Sequence, residues 1–352
     1  MTLGVAEAAR KCGRGLRVQL AVDFDPIAAG AYRANFPHAK VVQEDLAHIF
    51  QADLNARRSE RESAMAAGTE TTDILVGGPP CQGNSNLNNW SRRTDGRNAL
   101  YALMARAALV FRPRIVVVEN VPSVVHDRGG VVEKTSRSLE HQGFEVASAV
   151  IDLWRVGVPQ LRRRHILLAS RVPEVSPRET LADVCRQDSA IRPNTVRWAI
   201  NDLAAVGRDN PDDFDRPGSV SQDNSRRIDW LFENNAFDLI DSERPPCHSA
   251  GNHTYKSMYG RLRWDEPAQT ITTGFGSMGQ GRYVHPAERR TISAHEAARI
   301  QAFPDFFDLR TTARRSHRAK LIGNAVPPFL TWALMEPIIP WLTDATSHEA
   351  TR

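Results

Sequence analysis

Asp73–Asn86, DILVGGPPCQGNSN, runs from a short apolar strand ending at Val76 into a Gly-Gly-Pro-Pro turn with a cysteine at its exit. Gly77 and Gly78 carry no Cβ and let the backbone approach a ligand, while Pro79 and Pro80 stiffen the turn that aims the Cys81 thiol. A buried cysteine is an ordinary small hydrophobe. A thiol set between Pro and Gln just past a strand is instead presented. The next apolar strand, RIVVVENV (Arg114–Val121), brings Glu119 and Asn120 to the same carboxyl edge. A carboxylate there is either one half of an ion pair with an arginine or a group held for chemistry.

Outward from these two strands, between Arg17 and Ser170, VQLAV, KVV, FEVASAVI and HILLAS supply further short apolar runs. PIAAGAYRANF and NALYALMARAALVF place apolar residues at helical spacing between them. The alternation predicts an α/β fold with a doubly wound, mostly parallel sheet covered by helices on both faces. Ligands of such sheets sit beyond the carboxyl ends of the strands, so residues just after each strand have first claim on chemistry. Asn55–Glu70, rich in Arg, Glu and Ser, reads as a flexible insertion. Past Ser170 the text turns Pro-, Asp- and Arg-rich, as in DNPDDFDRPGSVSQDN, which predicts a second, smaller domain of irregular structure. Periodicity returns at SAHEAARIQAF, where Ser293 and Glu296 form a capping-box pattern, and at PPFLTWALMEPIIPWL, a closing helix expected to pack back on the first domain.

A chain of 352 residues exceeds the size at which one core stops growing, about 250 to 300 residues, so two unequal domains are expected. Hydrophobic content of 41% and charged content of 24% suit a globular protein, and no apolar run nears the roughly 20 residues that span a bilayer. The N-terminus lacks the pattern of a signal peptide, which places the protein in the cytoplasm. Cys12, Cys81, Cys185 and Cys247 show no paired spacing, and Cys247, His248 and His253 lack a second cluster to complete a tetrahedron, so no metal is expected. The net charge of +4 is compatible with a polyanionic partner, with arginines crowded at Arg92-Arg93, Arg162-Arg163-Arg164, Arg289-Arg290 and Arg314-Arg315.

In VGVPQLRRRHILLAS (Val156–Ser170), Gln160, Arg162 and Arg164 alternate along an extended segment and are expected on one face, where guanidinium groups suit phosphate or carbonyl oxygens. Taken in order, GGPPCQ, ENV, VPQ-x-R-x-R, RLRWDEPAQTITT and IGNAVPP resemble the motif series of the DNA (cytosine-5) methyltransferase family. The match leaves out only the stretch from Val172 to Ser257, which corresponds to the variable target-recognition region there. The resemblance implies residues 1–170 as catalytic and cofactor-binding domain, 171–292 as target-recognition domain, 293–317 as hinge helix and linker, and 318–352 as a return to the catalytic domain.

The resemblance also implies roles. Cys81 is the nucleophile toward cytosine C6, Glu119 engages N3, Arg164 steadies O2, Asn120 braces the cysteine loop, and Arg162 is a supporting or phosphate contact. C5 then takes a methyl group from S-adenosylmethionine. The base must leave the duplex stack, and the polar loop GNSNLNNWSRRTDGRN is the expected instrument, with Gln82, Ser85, Arg92, Arg93, Arg97 and Gln160 as DNA contacts. The usual Phe after CQG is Asn84 here. For the cofactor, Asp23 would hold the ribose, Phe24 the adenine ring with Asp25 beside it, and Asp45 and Leu46 further adenine contacts. Gly77, Pro79 and Leu100 would line the pocket, and Asn324 and Val326 would close it. The family's first motif, a strand and Phe- and Gly-rich loop around the methionine part of the cofactor, is not in the text, and MTLGVAEAARKCG corresponds to its end. A chain starting inside that motif through a late-placed start is the expectation. The implied partner is double-stranded DNA, for a monomer in a restriction-modification or epigenetic role, with room for a separately acting restriction endonuclease. A catalytically impaired DNA-binding relative and an RNA cytosine-5 methyltransferase are the alternatives.

Overall fold

The computed structural model describes residues 1–54, 56–67, 69, 71–79, 99–187, 194–205, 213–246, 257–312 and 314–342. The chain divides into two units, one from Met1–Val156, Arg163–Gln187 and Pro328–Arg352, the other from Gly157–Arg162 and Asp188–Pro327. This partition leaves residues 171–187 with the first unit and moves 293–327 to the second, unlike the boundaries expected from sequence.

The first unit contains helices α1 (Thr2–Lys11), α2 (Pro26–Asn35), α3 (Leu46–Ile49), α4 (Glu60–Ala67), α5 (Ala99–Phe111), α6 (Val131–His141) and α7 (Pro177–Arg186), with a closing helix Pro328–Met335. Its strands are β1 (Leu20–Asp23), β2 (Lys40–Gln43), β3 (Ile74–Gly77), β4 (Ile115–Asn120), β5 (Glu145–Asp152) and, after a two-residue β6 (Gln160–Leu161) in the second unit, β7 (Arg163–Ser170). Strands and helices both contribute, so the architecture is mixed α/β. β1 and β2 pair in parallel, and a separate sheet has the order β3-β4-β7-β5. Every residue of β4 is buried, which explains its unbroken run of valines.

β3 and β4 are parallel, but β7 runs antiparallel to both of its neighbours, β4 and β5. β7, inserted between β4 and β5, thus runs against the other strands of this sheet, while β3, β4 and β5 share one direction, as a mostly parallel sheet requires. A parallel return needs a crossover of about a dozen residues or more, usually a helix, and between Asp152 and Arg163 the chain holds only a short 3-10 turn, Leu153–Val156, before entering β6. Gly143, with φ of 84°, turns the chain out of α6 into β5.

Helices α5 and α6 cover one face of this sheet: Tyr101, Met104, Ala105, Ala108 and Leu139 bury against Val116, Val118, Leu167 and Ala169. The Asn55–Glu70 stretch is not the flexible insertion that its composition suggested wherever it is described. Glu60–Ala67 is helical, and Glu62, fully buried, gives both carboxylate oxygens to Arg106 of α5 at 2.7 Å. The same guanidinium reaches the carbonyls of Ala56 and Arg57, so a buried cation gathers the loop around itself. The closing helix lies on α1, with Thr331 Oγ1 donating to the Met1 carbonyl at 2.8 Å. A Cβ at Gly4 would sit 2.1 Å from the Pro328 carbonyl oxygen, so this helix pair needs glycine there.

In the second unit, β6 pairs in parallel with β8 (Ala268–Gln269), and the helices α8 (Val196–Ile200), α9 (Gln222–Glu233), Ala294–Ile300 and Arg315–Asn324 are joined by long irregular segments. Its core includes Ile228, Leu231, Leu239, Tyr259, Met278 and Val284. The predicted capping box is present: Ser293 Oγ accepts from the Glu296 N–H, and the Glu296 carboxylate accepts from the Ser293 N–H.

Candidate active site

The alternation of β4 sends Glu119 and Asn120 to opposite faces of the sheet at its carboxyl end. Glu119 pairs across the ladder with Ile166 and shares its face with Arg164, two positions along β7. The Arg164 Nε lies 2.6 Å from Glu119 Oε1, and both side chains are mostly buried. The carboxylate is thus in an ion pair, but its arginine is itself one of the expected site residues. On the other face, Asn120 donates from Nδ2 to the Pro79 carbonyl at 3.2 Å and accepts from the Val121 N–H at 2.8 Å. Pro79 is buried and stands two residues before Cys81. Cys81, Gln82, Ser85, Arg92, Arg93 and Arg97 lie outside the described residues.

Gln160, Arg162 and Arg164 do not share a face, contrary to the sequence expectation. The chain changes units between Arg162 and Arg163, so the extended segment is split between β6 and β7. Gln160 is fully buried, donating from Nε2 to Gln301 Oε1 at 2.7 Å and accepting from the Ile271 N–H at 3.1 Å. Its assignment as a DNA contact is corrected, because no part of the side chain is left for a ligand. Arg162, 3% exposed, donates to the carbonyls of Ile271 at 2.9 Å, Gly323 at 3.3 Å and Ala325 at 3.2 Å. Neither a phosphate contact nor a reacting group fits that burial. Arg162 ties the TITT segment to GNAV inside the second unit.

Around the parallel pair β1–β2, Asp23 ends β1 and accepts from the Asp25 N–H at 2.8 Å, while Asp25 caps α2 through the Ile27 N–H at 2.9 Å. Phe24 between them is 57% exposed, an aromatic face open at a strand end. Asp45 caps α3 in the same way, and Leu46 and Leu100 pack into one apolar cluster with Val22, Val42 and Leu75. Asp23, Phe24 and Asp25 thus lie at the carboxyl end of β1, and Asp45 and Leu46 just past that of its parallel partner β2. At the end of β3, a Cβ on Gly77 would lie 2.5 Å from the Met104 sulfur, so the glycine leaves room for the tip of that side chain of α5. Asn324 and Val326 belong to the second unit, Asn324 as the exposed last residue of its helix. Exposed aromatic, carboxylate and apolar floor together fit an adenosine moiety.

One polar residue escaped the sequence. His165 on β7 is 1% exposed and opposite Asn120 in the ladder, and neither ring nitrogen has a hydrogen-bond partner among the described residues. Its ring lies 6.4 Å from that of Tyr101 on α5. Burial lowers its pKa to about 4. The signal was a histidine inside the apolar run HILLAS, where both faces of the strand are covered. Among the described residues no cluster of His, Cys, Asp and Glu could hold a metal ion, and no helix is long and apolar enough to cross a membrane.

Residues 1–339 match the model of the C-5 cytosine-specific DNA methylase family. Among curated proteins the chain is similar to the Type II methyltransferase M1.BsuMI of Bacillus subtilis, 42% identical over 334 residues that cover 95% of this chain and 76% of the relative. It is also similar to the Type II methylase M.HgiDII of Herpetosiphon aurantiacus, 29% identical over 96% of this chain and 93% of the relative. Among solved structures, the Entamoeba histolytica methyltransferase EhMeth aligns with a TM-score of 0.59 at 14% identity, covering 97% of this chain and 96% of that one, a likeness of fold.

Proposed function

The chain belongs to the C-5 cytosine-specific DNA methylase family, and we propose that it methylates cytosine C5 in a specific duplex sequence with Cys81 as nucleophile and the Glu119–Arg164 pair as the group that activates the base. That pair, 2.6 Å apart at the carboxyl end of β4, is the observation that carries the reading. Cytosine C5 is a weak nucleophile. Addition of the Cys81 thiolate to C6, with Glu119 protonating or holding N3, makes C5 enamine-like. Arg164, already beside Glu119, is within reach of the neighbouring O2 and keeps the carboxylate oriented. Asn120, bonded to the Pro79 carbonyl, holds the chain two residues before Cys81. After transfer, loss of the C5 proton and elimination of Cys81 release the product.

S-adenosylmethionine, when bound, supplies the methyl group. Asp23, Phe24, Asp45, Leu46 and Leu100 at the ends of β1 and β2 would hold its adenosine. A doubly wound sheet would hold β1–β2 and β3-β4-β7-β5 in one layer, although β1 and β3 share no ladder with each other among the described residues. In this assignment the first unit carries cofactor and chemistry, the second unit target recognition, and the enzyme acts as a monomer without contact to a restriction endonuclease.

Bisulfite sequencing of DNA from cells expressing the wild type and Cys81→Ser tests the proposal. Serine would need an alkoxide inaccessible near neutral pH. Methylated cytosines in one sequence context with the wild type and none with the variant are expected. Substantial methylation by the variant, or methylation confined to RNA, would overturn it.

A further inference from the structure

Many arginines of the second unit are spent on its own acceptors. Arg197 pairs with Asp265, Arg290 with Glu288 and Glu296, and Arg261 bonds the Pro286 carbonyl while stacked 4.0 Å from the centre of the Phe232 ring. Arg315, at the start of the helix Arg315–Asn324, is different. Its guanidinium has no ion pair or hydrogen bond among the described residues, and its Nη2 is buried without an acceptor. Burial lowers its pKa, and no carboxylate opposes that effect.

Space for this cation is made by two glycines from separate loops. A Cβ on Gly218 would lie 1.9 Å from both Nη1 and Nη2, and one on Gly276 would lie 3.1 Å from Nη2. Neither glycine has left-handed backbone, so what a side chain there would meet is the guanidinium, which it would push aside. An unpaired, partly desolvated charge is costly to keep, and a guanidinium fork is shaped for a carboxylate or phosphate. Three segments of one unit therefore converge on a cation whose acceptor the described chain does not provide.

We propose that Arg315, cradled by Gly218 and Gly276, is an anchor for a backbone phosphate of the DNA duplex. The inference rests on the chain acting on DNA, and it assigns a sequence-independent contact, one that positions the duplex without reading it.

The test is duplex binding by the full chain across a range of salt concentrations, read by fluorescence anisotropy on a labelled duplex, for the wild type, Arg315→Gln and Gly218→Ala. Losing one phosphate contact should flatten the slope of log affinity against log salt by about 0.9. Both variants are expected to show it, since the added methyl of Gly218→Ala displaces the guanidinium without removing its charge. Thermal unfolding of free Arg315→Gln should occur no lower than in the wild type, because no internal partner is lost. A full slope in Arg315→Gln, with or without a lower melting temperature, overturns the anchor and leaves the enzyme's function standing. A full slope in Gly218→Ala alone overturns the cradle. Salt-insensitive binding by the wild type overturns both the anchor and the assignment to DNA.

Discussion

Glu119 and Arg164 meet although neither position suggests the other in sequence; the antiparallel register of β4 and β7 puts them on one face. Glu119→Gln keeps the shape and a hydrogen bond to Arg164 but loses the acid. Single-turnover methylation should slow by roughly 10²- to 10⁴-fold with duplex affinity retained; an unchanged rate would remove Glu119 from the chemistry. His165 permits a second prediction. Burial holds it neutral down to about pH 4, whereas in the unfolded chain it titrates near 6.5. As pH falls through that window only the unfolded chain gains the proton, so the folded state loses up to roughly 3 kcal/mol. His165→Leu should abolish that part of the loss and cost little at neutral pH, since both orphaned nitrogens disappear. Buried His285, also lowered to about 4, titrates in the same window. The readout is therefore the difference between variant and wild type in denaturant titrations, and parallel pH curves for the two would refute the account.

Among the elements, the apolar runs located β1 to β5 and β7 to within a residue or two, because a buried strand needs consecutive apolar side chains whatever its partners. Composition misjudged the stretch around α4. Its charge-rich composition read as a flexible insertion, yet Glu62 is buried against Arg106, which keeps its carboxyl well below the usual carboxylate range. Removing one partner from a buried pair strands the other and costs about 3 to 5 kcal/mol, whereas replacing both with apolar groups is often near neutral. Glu62→Leu alone should therefore destabilise strongly, and Glu62→Leu combined with Arg106→Met should recover most of the loss in chemical denaturation. Additive losses in the double variant would show that the pair is not coupled.

At the scale of the whole molecule, the family's variable region begins near Val172 by motif spacing, but the first unit continues to Gln187. Val172, Val175, Leu181 and Val184 are buried in it, and Ser176 of the α7 cap donates to Glu145 of β5 at 3.2 Å. Exchanging residues 188–257 for the corresponding segment of a relative should therefore change the methylated sequence and preserve folding, because base-edge contacts carry recognition. An exchange beginning at Val172 should lower the melting temperature as well. Methylation that stays at the original sites in the shorter exchange would place recognition elsewhere in the chain.

The sequence by itself determined the order of the motifs: Cys81 in the segment that follows one apolar strand, then Glu119 and Asn120 at the end of the next. Such information is local, carried by the pattern of a few neighbouring residues. Which polar groups are spent internally was decided by tertiary structure alone. Arg162 finds its acceptors at Ile271, Gly323 and Ala325, and Gln160 its partners at Ile271 and Gln301. Arg315, no less basic in the text, is left with two glycines. A guanidinium's meaning depends on the acceptors around it, and those come from segments more than a hundred residues away along the chain in the case of Arg162.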